Sequence, residues 1–211
     1  MTSSNFPSDD SVGGTSRRAL LRALTTAPIA VPLIASPWGE ALADLHDHHG
    51  DSPAALVRTR TGRSLSRFRY HNAESFYQGL GHGLYYNDGG EMIYRSGIVA
   101  QLALSSHLLD VGFADEWNAR HIRLDVAKSL AHANATGFGH DCPDMARLAA
   151  ILSPYWKWGH AHRIDAPLPD NGGFTVDEVR LLLRALLDRV HDVTGHRRPN
   201  GWRREQRDAR S

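Results

Sequence analysis

The segment Thr175-Val176-Asp177-Glu178, followed by Val179, Leu182, Leu183, Leu186, Leu187, Val190 and Val193, most constrains what this chain can fold into. The threonine hydroxyl and the glutamate carboxylate can each satisfy a backbone donor that the first turn of a helix leaves unpaired. The apolar residues recur at the spacing that lines one face of a helix. Gly195 follows the last of them, where a left-handed residue closes a helix. A helix with one apolar stripe must bury it against other elements, so the rest of the chain has to supply partners.

Several segments can do so. Residues 92–111 are apolar on most sides and precede Gly112, which predicts a central buried helix. Residues 115–135 predict a second long helix, stopped by Gly137 and Gly139. Residues 143–152 begin with proline at a tolerated first-turn position and break at Ser153-Pro154. A shorter helix is expected after Asn72, ending near Gly79. Asn87-Asp88-Gly89-Gly90 is a turn signal that either closes a small hairpin between 84–86 and 92–94 or leads into the next helix. Residues 44–69 are polar and show no lasting periodicity, so they read as a flexible lead-in rich in histidine and arginine. Residues 196–211 read as a basic flexible tail. The expected fold is all-α: one domain over residues 70–195, with four or five helices and at most one small β-hairpin.

The N-terminus has a different character. Thr15-Ser16-Arg17-Arg18-Ala19-Leu20-Leu21-Arg22 runs into a mildly apolar stretch broken by Pro28 and Pro32, and Ala41-Leu42-Ala43 offers a small-x-small cleavage pattern. This segment resembles a twin-arginine (Tat) export signal. The resemblance covers residues 1–43 alone and implies a periplasmic or secreted protein that folds before crossing the membrane. A cytoplasmic location follows if Arg17-Arg18 is incidental. Beyond the signal no run is long and apolar enough to span a bilayer.

Three of the 24 basic and three of the 23 acidic side chains fall within those 43 residues. The remainder is therefore nearly neutral, and no overall field selects a polyanionic partner. Cys142 is the only cysteine, so no intramolecular disulfide can form. All 13 histidines lie beyond the signal.

Those histidines supply the candidate metal ligands. His140, Cys142, His160, His162 and Asp165 offer donor types that zinc or copper accepts, although their spacing matches no metal motif. Cleavage after Ala43 would create a chain beginning Asp44-Leu45-His46, with histidine third. That order resembles the amino-terminal copper and nickel site, in which the α-amine, two backbone amides and the imidazole form a square plane. His121, Asp125, Lys128 and His132 share one stripe of the predicted 115–135 helix and read as a solvated polar face.

Two segments are locally basic. Arg58, Arg60, Arg63, Arg67 and Arg69 stand without an intervening acid, and the tail carries Arg197, Arg198, Arg203, Arg204, Arg207 and Arg210. Arginine forks suit phosphates, and Phe68 or Trp202 can stack on a base. The sequence thus supports three readings. The first is an exported helical binding protein, with the handling of Cu, Ni or Zn as its most specific version. The second is a cytoplasmic helical protein that binds nucleic acid through its arginines. The third is a small enzyme built around residues 140–165.

Overall fold

The computed structural model describes residues 29–31, 37–80, 89–155 and 170–199. Its helices are α1 (Gly39–His49), α2 (Arg60–Gly79), α3 (Gly89–Val111), a single turn α4 (Asp115–Trp117), α5 (Val126–Ala135), α6 (Pro143–Leu152) and α7 (Val176–Thr194). Two short strands, β1 (Ile29–Val31) and β2 (Leu56–Arg58), pair antiparallel with Ala30 opposite Val57. The fold is predominantly all-α, with more helices than the four or five expected.

α7 forms as its sequence dictates. Thr175 accepts from the Glu178 backbone N–H, the Glu178 carboxylate accepts from Thr175 N, and Gly195 closes the helix with φ of 67°. Val179, Leu183, Leu186, Leu187 and Val190 are completely buried. α3 is the axis of the domain: no residue from Gly90 to Val111 is exposed, and α2, α5, α6 and α7 all pack against it. Gly97 of α3 is a point of close approach, because a Cβ there would lie 2.2 Å from the Tyr155 Cβ.

Four expectations need correction. Residues 44–69 are not a flexible lead-in: they carry most of α1, all of β2 and the first half of α2. The periodicity was hidden because α1 buries only Gly39, Leu42 and His46, and a histidine does not read as a core residue. α2 starts at Arg60, where Thr59 Oγ1 accepts from Gly62 N at 2.9 Å, and Asn72 lies inside it rather than at its cap. Residues 92–94 belong to α3, so of the two outcomes open at Asn87-Asp88-Gly89-Gly90 the hairpin is excluded and the lead into the next helix holds; residues 84–86 lie outside the described residues.

The fourth correction concerns residues 115–135. After α4 the backbone makes a π-turn over Asn118–Ile122, Arg123 takes φ of 56°, and Asp125 caps a fresh helix by accepting from Lys128 N at 2.9 Å. A π-turn and a non-glycine residue at positive φ are both costly, and such irregularities gather at functional sites.

Gly112 joins α3 to β2. Its carbonyl accepts from Val57 N at 2.8 Å, its φ is 116°, and a Cβ there would lie 2.8 Å from that same nitrogen. Gly112→Ala is therefore expected to lower the unfolding free energy by about 2 kcal/mol or more, from left-handed strain and a backbone clash together. Thr175→Ala should cost about 1 kcal/mol through the lost cap. Leu181, which is 71% exposed, should tolerate alanine within about 0.5 kcal/mol. Urea midpoints of the three variants check this order.

Candidate functional site

Two clefts carry the polar chemistry. The first has a volume of about 410 Å3 and is lined by His49, His121, Ile122, Arg123, Leu124, Asp125, Lys128 and Pro154. It lies along the irregular segment between α4 and α5, with the end of α1 on its other side. Two of its lining residues, Lys128 and His121, converge on the carboxylate of Asp51. The Lys128 ammonium donates to Asp51 Oδ1 at 2.9 Å and also sits 2.6 Å from Oδ2, an ion-pair contact rather than an aligned hydrogen bond. His121 Nδ1–H donates to Oδ1 at 3.3 Å. Burial raises the Asp51 carboxyl's proton affinity, but the Lys128 and His121 contacts outweigh it and hold the group below its ordinary value.

Behind this wall lies a cluster of rings. His46 stands 5.5 Å from Trp117 and 5.8 Å from His132, and Trp117 stands 5.6 Å from His132 and 4.9 Å from His121. Trp117 is fixed by its Nε1–H, which donates to the Ser52 carbonyl at 2.9 Å. His132 is fully buried and His46 is 3% exposed. His132 Nδ1–H donates to the Lys128 carbonyl at 2.9 Å, which leaves its lone pair on Nε2. That Nε2 and both ring nitrogens of His46 have no hydrogen-bond partner among the described residues.

The second cleft, about 460 Å3, is lined by Arg63, Arg67, His71, Gly195, His196 and Arg197. Arg63, Arg67 and His71 recur every four residues and so share one face of α2. Arg197 arrives from the chain after α7, and its carbonyl accepts from His71 Nε2 at 2.9 Å. Arg63 is tied to Asp110 at 2.6 Å. Arg67 and Arg197 are exposed and have no carboxylate partner among the described residues.

A serine–histidine contact underlies this cleft. Ser66 Oγ donates to the Ser106 carbonyl at 2.7 Å and stands 2.6 Å from His196 Nε2. Asp110 approaches the same Nε2, at 3.9 Å, and not the other ring nitrogen. A carboxylate on that side does not orient the ring as a base, and Ser66 is fully buried. The contact positions His196 and offers no nucleophile.

Of the residues singled out in the sequence, Asp44, His46, His140 and Cys142 fall within the described residues. Asp44 is exposed in mid-α1, and His46 is buried three residues from the end of that helix. Residues 44–46 are helical and Leu42 is completely buried, so in this fold the backbone of Asp44-Leu45-His46 is not free to form a metal square. His140 is held by Asn134, which accepts from its backbone N–H at 3.0 Å, while Cys142 immediately precedes α6, makes no capping hydrogen bond with its side chain and is partly buried. His160, His162 and Asp165 lie outside the described residues, as does the twin-arginine segment. Among the described residues no three His, Cys, Asp or Glu side chains stand ready to hold a metal ion.

The polar stripe His121, Asp125, Lys128 and His132 also needs correcting. It is broken by the turn at Arg123 and faces inward: His132 is fully buried, and Lys128 and His121 close on Asp51. Asp51, Trp117, His71 and His196 gave no signal in the sequence, because their partners lie far away along the chain. No family model, curated protein or solved structure matches this chain. Among the described residues no helix is long and apolar enough to cross a membrane.

Burial draws His107, His132 and His196 down to about 4. These rings stay neutral in the fold below pH 6.5, where the unfolded chain takes up protons. Their contribution is complete above pH 6.5 and is lost as the pH falls from about 6.5 to about 4, at up to about 1.4 kcal/mol per pH unit for each ring. Urea midpoints should fall across that window. His107→Gln, which removes a ring that donates to Thr136 and lines neither cleft, should flatten the dependence.

Proposed function

We propose that this chain is a helical nucleic-acid-binding protein whose phosphate site is the cleft of Arg63, Arg67, His71, His196 and Arg197. One observation carries the reading. Two basic segments about 130 residues apart in sequence together line a single cleft. Guanidinium forks in a concave site match phosphate oxygens in shape and in charge. Arg67 and Arg197 are free to turn toward a ligand, whereas Arg69 is engaged with Ser105 and Asp115.

The nearly neutral whole does not count against this. Local charge within about a Debye length, roughly 8–10 Å, governs contact with a polyanion. Phe68, 60% exposed and next to Arg67, adds an aromatic face beside the cleft. Phosphates held by arginine and bases stacked on an exposed ring favour a single strand over a duplex.

The test is fluorescence anisotropy of a labelled single-stranded oligonucleotide across a salt series. Wild type should bind at low salt and weaken steeply as salt rises. Arg67→Ala and Arg197→Ala should each reduce the slope of log affinity against log salt by about 0.7. Phe68→Ala should weaken binding while leaving that slope unchanged. Absence of binding at low salt, or an unchanged slope in both arginine variants, would overturn the reading.

A further inference from the structure

The second cluster has a different chemistry and stands independently of the arginine cleft. Three imidazole nitrogens, both of His46 and the Nε2 of His132, are buried without a hydrogen-bond partner among the described residues. Buried polar atoms are almost always paired, and here three exceptions fall on two imidazole rings whose centres are 5.8 Å apart, a grouping of one donor chemistry that points to a ligand. Two other buried histidines show the contrast. His107 Nε2 is paired with Thr136 Oγ1 and His196 Nε2 with Ser66 Oγ.

We infer that His46 and His132 are the preformed half of a transition-metal site, completed by His49 when an ion enters. Three observations support it. The first is tautomer: His132 gives its Nδ1–H to a backbone carbonyl and presents a bare lone pair on Nε2, as histidines bound to metal do.

The second is spacing. The ring centres of His46 and His132 are 5.8 Å apart, and those of His49 and His132 are 5.9 Å apart. Two imidazoles bound to one ion through bonds of about 2.0–2.1 Å have ring centres about 5–6 Å apart, depending on the ligand angle. The third is access. His49 is exposed, lies three residues after His46 on the last turn of α1 and lines the mouth of the 410 Å3 cleft.

As the side chains stand, no three ligands meet at one point. A change of rotamer at exposed His49 would close the set, while the two buried rings are held by packing against Trp117 and Phe113. An all-imidazole donor set selects zinc, copper or nickel over magnesium or calcium, which prefer oxygen. The Asp51 carboxylate, already bound to Lys128 and His121, is left to offset charge and orient the cleft wall.

This site differs from the amino-terminal copper square, which needs a chain cut after Ala43 and uses His46 alone among the histidines. The test uses the full chain, stripped with chelator and titrated with Zn(II) by calorimetry and with Cu(II) by electron paramagnetic resonance. The expected result is one ion per chain, with nitrogen hyperfine structure in the copper spectrum. His132→Gln and His46→Gln should each weaken binding at least tenfold, and Zn(II) should raise the melting temperature of wild type but of neither variant.

His49→Ala changes an exposed residue and should keep its fold, so its loss of affinity remains informative if a buried variant does not fold. No binding above that of buffer overturns the site. So does equal affinity in His49→Ala and wild type, or a loss confined to His46→Gln.

Discussion

The ion pair between buried Glu74 and Arg184 holds α2 and α7 in register. Glu74 is 2% exposed, and both its oxygens accept from the Arg184 guanidinium at 2.8 Å, while Tyr70 adds its hydroxyl to Oε1 at 2.7 Å. Burial alone would push the Glu74 carboxyl up, but the bonds to Arg184 and Tyr70 win and keep it ionised. Such a pair contributes little net stability compared with an apolar one, yet losing one partner strands a buried charge at a cost of about 3–5 kcal/mol. It therefore specifies how α2 and α7 meet more than it strengthens their contact. Arg184 also reaches Asp188, which takes Arg198 from the chain beyond α7.

That register builds the arginine cleft. With α7 locked on α2, the residues after Gly195 cross the face of α2 that carries Arg63, Arg67 and His71. His196 then meets Ser66, and the Arg197 carbonyl meets His71. The basic wall is thus a consequence of a carboxylate buried one turn beyond His71. Elsewhere α1 and α5 meet around Trp117, and both ring nitrogens of His46 and the Nε2 of His132 have no partner there among the described residues. The two sites answer to opposite conditions: exposed guanidiniums keep their charge, while buried imidazoles keep their lone pairs.

Much of the helical frame was legible. α7, α3 and α6 announce themselves through caps, long apolar runs and a first-turn proline, all local signals that survive in any helical context. What was missed shares one cause. α1 hides because its core positions include a histidine. The break at Arg123 hides because Asp125, its real cap, sits in a pattern that also fits an unbroken helix. The stripe of His121, Lys128 and His132 was visible, but whether it met water or protein depended on Asp51 and α1, which arrive from elsewhere in the chain.

By itself the sequence determined that α3, α6 and α7 become helices, where α7 and α6 begin, and that arginine and histidine would be prominent in the polar chemistry. These follow from interactions among residues within a few positions of one another. Only the tertiary structure decided which histidines are buried with ring nitrogens unpaired among the described residues, and that arginines about 130 residues apart share one cleft. Those outcomes rest on packing α1 against α5 and α7 against α2. The energy of such contacts belongs to pairs of surfaces, and no local pattern in either segment records its partner.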